Sequence, residues 1–236
     1  MAFREDIFKI PLTETDPCLQ SVITFNGGRE NTTTTTVIGI LNRSASRHIT
    51  NVPELVDSIV NNMPHSQVRL INFDEGCNIR STAHLVEDVN VLIAPFGNGL
   101  GAGLFMKKEN AMIISIDARW YSESWFYWPM TSIGIRLYSF QCNQRSCQEY
   151  DMNLIKKLSP TISNTDALAV MTQQHPSGVD WSIYGMYQKD VSRRVDVEQF
   201  IPFLQEKMAS TKYEDCGEMC QIPMERHGFG GSKHVI

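Results

Sequence analysis

The chain has 236 residues, a net charge of −5 and a sequence pI near 5.7, which is length for one large domain with appendages and cramped for two complete nucleotide-binding domains. The acidic balance excludes a general nucleic-acid binder, which carries a basic footprint. The longest uncharged apolar stretch, Val89 to Met106, is broken by Pro95, two asparagines and several glycines and is no membrane span. The opening MAFREDIFKI sets charges where a signal peptide needs an apolar core, so any membrane anchor is expected outside this sequence.

Residues 1–36 read as a lead-in or the remnant of an N-terminal lobe, ending in Asn26-Gly27-Gly28 and the threonine run Thr32 to Thr36. The apolar run Val37 to Leu41 predicts a strand, and the polar segment NRSASRHITN follows it. A helix is predicted from Asn51 as cap, with Pro53 in its first turn, to near Met63. Gln67 to Phe73 reads as a second strand and Ser81 to Glu87 as a short helix. Val91 to Ala94 is the continuous apolar run of a buried parallel strand, and Pro95 stops it. Further strands are predicted at Met112 to Ile116 and Ile135 to Phe140. This alternation predicts an α/β fold, a Rossmann-like parallel sheet with helices on both faces, over residues 37–150. Residues 151–236 form a helical and irregular extension, with helices predicted at Asn153 to Leu158 and Val197 to Met208 between breaks at Pro160, Pro176, Gly178 and Gly185. The final GFGGSKHVI reads as a tail.

Chemistry concentrates where such sheets bind ligands, at the carboxyl ends of their strands. Gly97, Gly99, Gly101 and Gly103 alternate after Pro95, where absent Cβ atoms allow positive φ and close approach to a ligand, and an apolar restart at Leu104 places them at a helix N-terminus able to receive an anion. Tight strand–helix packing uses glycines equally well, and the spacing is neither G-x-G-x-x-G nor a P-loop. Arg43 and Arg47 follow the first strand with Ser44 and Ser46. Arginine forks hold phosphate oxygens, while pairing of these arginines with Glu54 or Asp57 is the plainer alternative. Asp74 and Glu75, placed to meet a ribose or base, are common as solvated acids, and His48 and His84 are expected to cap or pack. The aromatic group from Trp120 to Trp128 suits either a sugar or base pocket or packing against another domain.

The six cysteines, Cys18, Cys77, Cys142, Cys147, Cys216 and Cys220, permit disulfides without requiring them. Neither close pair, Cys142 with Cys147 nor Cys216 with Cys220, has the common zinc spacing. No metal site is expected. Gly-x-Ser-x-Gly is absent, which leaves hydrolase chemistry without support.

In this order, R-x3-R-x3-N after a strand, a helix, a strand and then VLIAPFGNGLGAGLFM before a hydrophobic strand resembles the C-terminal half of glycosyltransferase family 61, over about Val37 to Cys142. The resemblance implies the C-terminal, nucleotide-sugar-binding lobe of a GT-B enzyme, one that transfers sugar to a protein or polysaccharide hydroxyl with inversion, needs no catalytic metal and works in the endoplasmic reticulum or Golgi lumen. It assigns Arg43, Arg47 and Asn51 to the donor-binding loop and Gly97, Asn98, Gly99 and Leu100 to the turn facing the diphosphate of a UDP-sugar. A lumenal origin further implies a Cys142–Cys147 bridge and possible glycosylation at Asn31 and Asn42. The chain departs from the family pattern where Phe96 stands for the usual histidine and Ser115 for a frequent glutamate, so no general base is named. With a lead-in too short for a full first lobe, the chain is expected to be a fragment or a degenerate relative with little or no transfer of its own. The competing reading is a catalytically inactive sugar-nucleotide- or glycan-binding module; a Rossmann-like oxidoreductase is disfavoured by the loose glycine fingerprint.

Overall fold

A computed structural model describes residues 2–9, 16–26, 36–73, 77–121, 125–141, 144–147, 149–174 and 176–210. Its centre is a six-stranded sheet built from β1 (Ile23–Asn26), β2 (Thr36–Asn42), β3 (Ser66–Asn72), β4 (Val91–Pro95), β5 (Met112–Asp117) and β6 (Arg136–Gln141). The spatial order is β1-β3-β2-β4-β5-β6, with β1 antiparallel at the edge and the other pairings parallel. The parallel strands thus follow a doubly wound order whose reversal lies between β2 and β4.

Apolar continuity along β4 and β5 is explained by cover on both faces: every residue of VLIAP and MIISID is buried. Alternate side chains enter two cores. Ile38, Ile40, Ile93 and Ile114 pack with Leu55, Val56 and Ile59 of α3 (Val52–Asn62) and with Phe200 and Leu204 of α9 (Val197–Ala209). Leu41, Leu92, Ala94 and Ile113 face the opposite core, where α4 (Ile79–Val86), α5 (Tyr127–Thr131) and the extension helices α6 (Met152–Leu158), α7 (Asn164–Thr172) and α8 (Trp181–Asp190) contribute Ala83, Met130, Ile155, Val170 and Tyr187. The short helices α1 (Ala2–Lys9) and α2 (Pro17–Gln20) cover the same side, adding Ile7 and Cys18.

The structure departs from the sequence expectations in three places. The glycine turn leads into a 3-10 helix, Asn98–Phe105, rather than an α-helix. Alternating glycines weaken α-helix formation, and the tight coil brings Gly103 so near β5 that an added Cβ would stand 2.1 Å from Ile113 Cδ1. Strand β1 arises in the lead-in from only four residues, ITFN, pairing Phe25 with Val68. Helices α7 and α8 occupy ground read as interrupted. Pro160 and Pro176 lie outside both, Ser163 and Asp180 cap their first turns by accepting from Asp166 and Ser182 N–H, and Gly185 is buried within α8.

A disulfide joins Cys18 to Cys77, 59 residues apart, fastening α2 beside the start of α4. Neither cysteine belongs to the close pairs. Cys147 is also disulfide-bonded; Cys142, Cys216 and Cys220, one of which is its partner, lie outside the described residues. So do Asp74, Glu75, Asn31 and the tail. No helix among the described residues is long and apolar enough to cross a membrane.

Candidate anion-binding site at the sheet reversal

The loops after β2 and β4 leave the sheet on either side of the reversal, and they meet through Arg47 and Gly97. Gly97 has φ 144° and ψ −168°, a conformation essentially confined to glycine. A Cβ added there would lie 2.9 Å from Arg47 Nη1, so the guanidinium rests directly against the glycine Cα. Arg47 itself is left-handed at φ 58°, which costs a non-glycine residue about 1–2 kcal/mol.

Its surroundings hold it there. Arg47 N–H donates to the Asp190 carbonyl at 3.0 Å, and Arg47 Nε pairs with the Asp190 carboxylate at 3.1 Å. The following residues lie alongside the segment after α8: Ile49 bridges Arg193 in parallel, and Thr50 N–H donates to Arg193 O at 2.8 Å. Asn42 closes the loop from within, accepting from Ile49 N–H at 2.8 Å and donating to Ile49 O at 3.2 Å. That committed amide also makes Asn42 a poor glycan acceptor. Glu54 pairs with Arg194, and Arg47 with Asp190.

The residues expected in a donor loop therefore separate. Arg43, partly buried, opens the loop. Arg47 and Gly97 come together. Asn98 is exposed at the first position of the 3-10 helix, where N–H groups precede the first internal bond. Gly99 is a packing glycine, an added Cβ meeting Leu41 Cδ2 at 3.0 Å. Leu100 is buried in the core and its N–H donates to Gly97 O at 3.0 Å. Asn51 is 5% exposed and turned to the scaffold: it accepts from Val195 N–H at 2.9 Å and donates to Val195 O at 2.8 Å and Glu54 at 3.0 Å. Asn51→Ala orphans both Val195 groups and is expected to cost about 2–3 kcal/mol in denaturant unfolding. An unchanged midpoint would release Asn51 for a ligand role.

Other expected features resolve individually. His48 Nδ1 lies 2.8 Å from Ser192 Oγ, and His84 packs edge-on to Phe8. Phe96 is buried among Tyr121 and Phe126, ring centroids 5.8 and 6.1 Å away. The aromatic group divides: Tyr121 and Tyr127 are buried, while Trp125 and Trp128 are exposed.

Three charged groups of this region were not singled out from sequence. Asp117, 4% exposed at the end of β5, accepts from Ser115 and Ser139 hydroxyls, each at 2.5 Å. An acid closing a strand that is apolar but for Ser115 is the signal that could have found it. Asp190 and Arg193 come from far along the chain and carry no local signature. Arg193 is 2% exposed, and burial lowers its guanidinium to about 10, with Asp117 and Asp190 opposing the fall and Arg47 adding to it. It remains cationic at neutral pH.

A guanidinium held against a glycine turn at the strand ends is an arrangement whose chemistry can receive an anion. Residues 6–113 match the family model of glycosyltransferase 61. The region matched by the glycosyltransferase 61 model thus spans β1 to β4, both site loops and the start of β5, and includes the arginine and glycine motifs that carry the resemblance. It stops short of Asp117, Asp190 and Arg193. No curated protein matches the chain.

Proposed function

We propose that the chain binds the diphosphate of a UDP-sugar between the β2 and β4 loops and belongs to machinery that transfers the sugar, with inversion, to a hydroxyl of a protein or polysaccharide. The placement of the Arg47 guanidinium against Gly97 at the sheet reversal carries this reading. Arg43 and Arg47 neutralise the diphosphate as it leaves, and the first N–H groups of the 3-10 helix, at Asn98 and Gly99, add fixed dipoles. In this reading cationic side chains supply the charge neutralisation that a metal supplies elsewhere. The Cys18–Cys77 bridge supports work in an oxidising lumen, that of the endoplasmic reticulum or Golgi.

Calorimetric titration with UDP tests the site. Binding is expected, and Arg47→Ala is expected to weaken it at least about tenfold, the ordinary worth of a charge-assisted contact. Equal affinity in the variant removes Arg47 from the site. A sugar-nucleotide-binding module without catalysis is the second reading, favoured by Phe96, whose ring is enclosed by aromatics and offers no hydrogen bond. UDP binding without product from radiolabelled UDP-N-acetylglucosamine or UDP-xylose, given peptide and glycan acceptors, selects that reading.

A further inference from the structure

The extension beyond the glycosyltransferase 61 region reaches into the site through one turn. Arg193 donates Nη1 to Val191 O at 3.1 Å and Nη2 to Lys189 O at 3.0 Å. These two carbonyls flank Asp190, the residue that receives the Arg47 N–H and pairs with its guanidinium. The Arg193 backbone grips the same loop from the other side, its N–H donating to His48 O and its carbonyl accepting from Thr50 N–H, both at 2.8 Å. One buried residue therefore folds the turn that presents Asp190 and pairs with the loop that presents Arg47.

A guanidinium is an expensive group to bury for capping alone, because a carbonyl pair at a helix end is ordinarily satisfied by water or a glycine turn. A planar fork is suited to two carbonyls set on either side of one residue, and a lysine spans them poorly. We infer that Arg193 is a positioning residue for the anion site, holding Asp190 so that Arg47 keeps its left-handed conformation against Gly97. The inference rests on the donor-site reading above only for its functional consequence.

Arg193→Lys retains a cation and loses the fork. Hydrogen–deuterium exchange of the Arg47 amide is expected to rise at least about tenfold in this variant, with the Ile113 amide in β5 unchanged. UDP affinity is expected to fall at least about fivefold, and to fall no further when the substitution is added to Arg47→Ala, because both changes remove the same contact. Unchanged exchange at Arg47, or an equal affinity loss in both backgrounds, overturns the positioning role. If wild type binds no UDP, the donor-site reading fails while the exchange measurement still decides for or against Arg193. Should Arg193→Lys not fold, Asp190→Ala, at a partly exposed position of the same turn, carries the test. Faster Arg47 exchange with weaker UDP binding supports the inference, and tighter UDP binding, with Asp190 merely competing for Arg47, overturns it.

Discussion

Replacing Cys18 and Cys77 together by alanine is expected to lower unfolding stability by about 2–4 kcal/mol, read from denaturant titration of the oxidised protein beside wild type. The bridge closes a loop of 59 residues, for which lost chain entropy in the unfolded state amounts to about 4 kcal/mol. What it fastens has little hold of its own. Helices α1 and α2 have eight and four residues, too short to persist alone. Among the described side chains their anchoring includes Ile7 and Cys18 in the core, Leu19 packed against it, Phe8 edge-on to His84 and Phe105, and Lys107 Nζ 3.4 Å from the Phe8 ring. The loss is therefore expected to be regional. Amide protection should fall in residues 2–9 and 16–20 and at the start of α4, while β4 and β5 keep theirs. An unchanged midpoint would show that packing alone docks the N-terminal helices, and would remove the bridge as support for a lumenal setting.

How much was legible in the sequence follows from how far apart the interacting residues lie. Strands β2, β4 and β5 were visible because continuous apolar runs in a polar chain have few other uses, and β3 because Gln67 to Phe73 alternates. The glycine turn was visible as a turn at the end of β4, but not the division of labour among its glycines. Whether a missing Cβ serves Arg47, as at Gly97, or Leu41 and Ile113, as at Gly99 and Gly103, depends on partners tens of residues away. The same distance hid the role of Asn51. Its position before Pro53 reads as a helix cap, and it does precede α3, yet its amide makes no cap bond and is spent on Val195, 144 residues further on. Asp190 and Arg193 were illegible for that reason. Their meaning comes from a parallel pairing of a loop with a helix exit, for which no local spacing rule exists.

Gly97→Ala is expected to weaken UDP binding by ~30–100-fold, more than Arg47→Ala, because it disturbs two components of the site together. The first is the backbone. At φ 144° an alanine is strained by about 1–3 kcal/mol, and relief of that strain turns the peptide that leads into the Asn98 and Gly99 N–H groups. The second is steric. The new methyl would lie 2.9 Å from Arg47 Nη1, and the guanidinium must leave the turn or drag its Asp190 partner with it. A double-mutant cycle in stability separates these components. In the Arg47→Ala background the methyl has no guanidinium to meet, so Gly97→Ala is expected to cost only the backbone strain, less than it costs in wild type. An equal cost in both backgrounds would mean that Arg47 does not rest on the turn in solution. It would also remove the juxtaposition on which the proposed anion site rests.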